Sequence, residues 1–114
     1  MSLMTMAAQR VKRIVGTGYL DSTAIARVLD KSPKTVLRWL RGGVAPRWES
    51  EQRLRELEAV LERLGGIVEP SAAREWLFTP VPMLEYRLPA DLVRGGDYRR
   101  VIAAIDAIGE GAFV

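Results

Sequence analysis

Residues 21–43 read DSTAIARVLDKSPKTVLRWLRGG, and the reading of this stretch decides the fold. Ile25, Val28 and Leu29 recur at helical spacing, which predicts an amphipathic helix capped by Asp21 or Ser22, with Ala26 small enough for close approach. Asp30-Lys31-Ser32 breaks the pattern. Ser32-Pro33-Lys34 then starts a second helix, because a Ser side chain accepts from an orphan backbone amide and proline at the first helical position loses no hydrogen bond. Its expected buried stripe is Val36, Leu37 and Leu40, with Trp39 in the core, and Gly42-Gly43 ends it. Two helices of roughly nine residues joined by a turn of about three read as a helix-turn-helix. The N-terminal half of the second helix normally enters the DNA major groove, which selects Ser32, Lys34, Thr35 and Arg38 as candidates. Lys34 and Arg38 stand one turn apart on one face. Arg can grip guanine bidentately, whereas Ser and Thr more often bind phosphate or act as caps. Arg41 and Arg47, flanking Gly42-Gly43, are expected to contact the DNA backbone. For any one of these residues the alternative is a solvated surface charge.

On the N-terminal side, Met6 to Val15 mixes Arg10, Lys12 and Arg13 with Val11, Ile14 and Val15 and is stopped by Gly16-Thr17-Gly18, a short helix. On the C-terminal side, Trp48 to Leu64 is the longest helix expected, with Leu54, Leu57, Leu61 and Leu64 forming a seam beside Val60. That seam can meet the same chain or a second copy. Glu49/Arg53 and Glu51/Arg55 have the spacing of i,i+4 pairs. Gly65-Gly66 terminates the helix, and the link Ile67-Val68-Glu69 is the expected boundary between a first unit, 1–66, and a second, 67–114.

The second unit opens at Ser71, runs through Trp76 to Phe78 and breaks at Pro80 and Pro82. A helical turn around Met83 to Tyr86 follows, then a helix from Pro89 to Gly95-Gly96, then a final helix capped by Asp97 with Val101, Ile102, Ile105 and Ile108 on one face. With no clear strand pattern, the fold class is all-α: a helix-turn-helix bundle followed by a small helical module. Arg99 and Arg100 occupy the first turn of the last helix, where cations oppose the helix dipole, so an external anionic group would explain them. Trp76 and Phe78 are assigned to the core, Tyr86 and Tyr98 to an interface. The apolar end Gly111-Ala112-Phe113-Val114 either folds back on the core or is covered by a partner.

Composition narrows the function. Among 114 residues there is no Cys and no His, which removes disulfides, thiolate and imidazole metal sites, and the commonest nucleophile and general base. No nucleophile-base pair with a supporting motif is visible, so neither an enzyme nor a cofactor is expected. No run of about eighteen apolar residues occurs, and the reading is a soluble, cytoplasmic protein with no membrane partner. Residues 1–47 carry nine Lys/Arg against two acids, a local +7; residues 48–114 carry eight against twelve, a local −4. A basic end favours DNA through counterion release, and an acidic end suits a protein partner.

In order and spacing, Trp76-Leu77, Thr79-Pro80, the Pro89-Ala90-Asp91-Leu92 turn, the Gly95-to-Ile108 helix and the ending Glu110-Gly111-Ala112-Phe113-Val114 resemble the toxin-binding C-terminal domain of the Xre/MbcA/ParS antitoxins. In that family a helix-turn-helix precedes the module, and the partner is a RES-domain toxin that destroys NAD. The resemblance implies an antitoxin that covers the toxin's NAD site, with Tyr86, Arg87, Tyr98, Arg99, Arg100, Glu110, Phe113 and Val114 as toxin-contact candidates. Repression of its own operon, favoured by self-association that pairs two recognition helices, is the companion expectation. Two departures stand out. Asp30 lies in the turn where DNA-binding members often have Gly, and Val81 follows Pro80 where an Asn is frequent. The competing reading is a stand-alone helix-turn-helix regulator whose acidic half only dimerises.

Overall fold

The structure, a computed structural model, describes residues 6–111; Phe113 and Val114 lie outside them. Seven α-helices carry the described chain: α1 Met6–Thr17, α2 Ser22–Leu29, α3 Pro33–Leu40, α4 Trp48–Gly65, α5 Pro70–Leu77, α6 Pro89–Arg94 and α7 Tyr98–Gly109. A 3-10 turn, Pro82–Leu84, sits between α5 and α6, and the sole extended pairing among these residues is a single bridge between Val81 and Arg87. The chain is all-α, as its patterning predicts.

Local chemistry places the starts of α2 and α3. The Asp21 carboxylate accepts from the Ala24 amide at 2.8 Å, and the Ser32 hydroxyl accepts from the Thr35 amide at 3.2 Å ahead of Pro33. Asp30 takes the turn between them in the left-handed conformation, φ 57°, ψ 47°, with its amide donating back to the end of α2. The position does demand the backbone geometry that glycine provides most easily, and a short polar side chain tolerates it too. The last helix differs from expectation. Asp97 makes no capping bond; its carboxylate lies 3.4 Å from Arg100.

The leucine seam of α4 closes within the chain. Leu54, Leu57, Val60, Leu61 and Leu64 are buried, with α1 and α2 on one side and α5, α6 and α7 on the other. One apolar cluster therefore runs from Ala7 of α1 to Ile105 of α7, with Trp39 inside it and Trp76 and Phe78 packed against it. Polar ties cross the same spine. Glu58 accepts from Arg10 at 2.6 Å and Arg13 at 3.0 Å, fixing α1, while Arg63 holds Asp106 of α7 through two bonds of 2.7 and 3.0 Å. Arg53 reaches Glu56 at 2.9 Å and the Arg94 carbonyl at 3.4 Å, and Arg55 bonds Gln52, so these arginines are spent elsewhere than on the i,i+4 partners that the spacing suggests. Glu56 is only 8% exposed, and each of its carboxylate oxygens has a donor, the Arg53 guanidinium for one and the Gln52 amide at 3.1 Å for the other. The buried stripe of α3 is narrower than its pattern suggests. Val36 and Trp39 are enclosed, Leu40 is half-buried, and Leu37 is 37% exposed because α3 has only α1 and α2 to pack on.

Candidate functional site

Two surfaces hold the candidate residues, at opposite ends of the sequence. On the first, Ser32 and Thr35 are joined hydroxyl to hydroxyl at 2.9 Å, and the Ser32 oxygen also caps α3, so their first task is to fix the start of that helix. Lys34 and Arg38 are exposed one turn apart on α3, and Arg41 and Arg47 are exposed on either side of the loop to α4. None of the four has an acidic partner among the described residues, which leaves four cations free to meet a polyanion. Lys31, in the turn before α3, is exposed as well and extends this set; its position in a turn rather than a helix hid it from a reading by helical face. Beside the cations stand Leu37, Val44 and Trp48, the last 68% exposed.

The second surface is built by the segment between α5 and α6. Val81 and Leu84 are buried and root it in the core, and five backbone bonds close it within seven residues. The Val81 amide donates to the Arg87 carbonyl at 3.1 Å, and the Tyr86 amide donates to the Val81 carbonyl at 2.9 Å. The chain turns back through two consecutive left-handed residues, Glu85 at φ 57° and Tyr86 at φ 63°. No glycine relieves either position, and a bulky residue there is a genuine outlier that surrounding structure must enforce. Tyr86 projects 72% exposed and Met83 49% exposed. Arg87 is exposed and has no acidic partner among the described residues; Arg99 is exposed with its guanidinium 5.8 Å from the Tyr98 ring. Tyr98 itself is half-buried and opens on a pocket of about 170 Å³ lined by Gln52, Arg55, Glu56 and Ala59. Glu110 is exposed at the end of α7.

Arg100 behaves differently from its sequence neighbour. It lies 3.0 Å from Glu85 and 3.4 Å from Asp97, so its charge has intramolecular anions and the dipole argument for an external one falls away. Met83 was not singled out by its pattern, since an apolar residue beside prolines reads as core until the turn is seen to point it outward. Among the described residues no cluster of acidic side chains could hold a metal ion, and no helix is long and apolar enough to cross a membrane.

The sequence profile for the antitoxin Xre/MbcA/ParS C-terminal toxin-binding domain matches residues 56–111, from the middle of α4 to the end of the described chain. The mycobacterial cidal antitoxin MbcA, from Mycobacterium bovis and from Mycobacterium tuberculosis, is 46% identical over 90 residues, which is 79% of this chain and 80% of the relative. This chain belongs to the Xre/MbcA/ParS antitoxin family. Family membership extends to the whole architecture: the crystal structure of the M. tuberculosis MbcT–MbcA toxin–antitoxin complex contains a chain that superposes with a TM-score of 0.82 at 40% identity. The superposition covers 96% of this chain and 99% of that one. The segment Val81–Arg87 and helix α7 both fall inside the matched domain, whereas α3 and its cations precede it.

Proposed function

We propose that this antitoxin binds an NAD-degrading RES-domain toxin through its C-terminal unit and blocks the toxin's active site, while its helix-turn-helix binds operator DNA and represses the operon. The observation that carries the reading is the superposition of nearly the entire chain on a partner of a solved toxin–antitoxin complex. The exposed residues of the second surface fit direct occlusion. Tyr86, Arg87, Arg99 and Glu110 need no catalytic group, only complementary surface with aromatic anchors. Phe113 and Val114 complete the proposed contact. The working division is 1–66 for DNA and 67–114 for the toxin, with α4 lending its core to both. Self-association would set two α3 helices one helical turn apart on a palindromic operator.

The test is NAD consumption by the proposed RES-domain toxin partner, with and without an excess of this chain. Suppression supports the reading. Undiminished consumption, with the folded chain shown not to bind, refutes it and leaves a stand-alone regulator. Within the same assays Arg38→Ala is expected to weaken operator binding and spare neutralisation, and removal of Phe113 and Val114 to do the reverse.

A further inference from the structure

The segment between α5 and α6 is more ordered than a connection needs to be. Its two apolar roots are enclosed, its backbone amides and carbonyls are tied to one another, and it nevertheless holds a tyrosine and the residue before it in the left-handed region. Left-handed backbone at non-glycine residues costs roughly 1–2 kcal/mol each. Folding alone does not require that expense, since the buried Val81 and Leu84 would be equally buried with glycine at 85 and 86. What the conformation achieves is to aim a large ring outward and keep it there. Met83, on the same turn, is an adaptable apolar side chain, and Tyr and Met are enriched at the centres of protein interfaces. Arg87 and Arg99 supply unneutralised cations close by in sequence and on the adjoining helix α7.

From this arrangement we infer that Met83 and Tyr86 are the anchor of the toxin interface. They enter an apolar pocket on the toxin whose rim is acidic opposite Arg87 and Arg99, and Arg100 is a positioning residue that holds the turn through Glu85. The inference rests on the toxin-binding reading above and names, within that surface, what the partner must offer. A preformed turn loses little conformational freedom on binding, so its contacts convert more fully into affinity. The exposed Glu85 would repel an acidic rim, and the Arg100 guanidinium at 3.0 Å offsets its charge.

The experiment is titration calorimetry of the purified full chain against the purified RES-domain toxin proposed as its partner. Tyr86→Ala is expected to weaken association by about 30-fold or more, the effect of truncating a central aromatic anchor, with an unchanged thermal midpoint because the ring is largely solvated. Met83→Ala is expected to weaken it several-fold. Affinity of the Tyr86→Ala, Met83→Ala double variant within about twofold of the parent overturns the inference while leaving toxin binding standing; no association by the parent chain overturns both. For Arg100, the single variants Arg100→Gln and Glu85→Gln are compared with their combination. Effects that fail to add show that Arg100 acts through Glu85, and full additivity overturns the positioning role.

Discussion

Asp30 shows how a single backbone angle carries information that composition does not. It stands at φ 57° in the turn of the helix pair, where a side chain costs energy that glycine avoids. Asp30→Gly should raise the stability of the chain by about 0.5–1 kcal/mol, read as a higher urea midpoint with an unchanged slope. Gly96 is the opposite case. Its φ is +87°, and an added Cβ would sit 2.8 Å from the Arg53 guanidinium, the group that satisfies buried Glu56. Gly96→Ala is therefore expected to cost about 1–3 kcal/mol by adding left-handed strain and disturbing that pair, measurable by the same denaturation. Neither effect could be extracted from residue order alone. The caps Asp21, Ser32 and Pro33 were legible because their partners lie within one helical turn. The more distant bonds of Arg53 and Arg100 were not, since the Arg94 carbonyl is forty-one residues from Arg53 and Glu85 fifteen from Arg100, and sequence spacing says nothing at that range.

At the scale of elements, α4 is the piece whose periodicity announced a seam without saying what would fill it. The structure fills it from both sides, and the ties to its neighbours respond to pH. Burial alone would raise the Glu58 carboxyl, but hydrogen bonds and attraction from Arg13 and Arg10 together outweigh it and hold the group below its ordinary value of 4.5. Asp106 is likewise lowered from 3.8, chiefly by its hydrogen bonds to Arg63. A carboxyl with a lowered folded value stabilises the native state above its unfolded value, and that stabilisation is lost as pH falls through the folded one. The difference in stability between the parent chain and Glu58→Gln should accordingly be largest near neutrality and shrink as pH drops below 4.5, as acid-titrated denaturation curves will show. The turn between α5 and α6 was the element least legible beforehand. Its prolines correctly marked a break, yet an outward Met83 and a left-handed Tyr86 depend on the anchoring of Val81 and Leu84 in a core assembled from distant helices.

For the molecule as a whole, the basic N-terminal and acidic C-terminal halves share one continuous apolar interior. Leu57, fully buried at its middle, tests that continuity. Leu57→Ala should cost about 2–5 kcal/mol and lower the stability of one common transition, whether followed by amide exchange in α2 or in α7. Two separable transitions would mean that the halves fold apart. A shared spine also bears on the lifetime of the protein. A protease that engages either end and draws α4 out of place removes the wall against which the other half is built. The cations of α3 and the turn between α5 and α6 would lose their common scaffold in the same event, so the two surfaces share one lifetime.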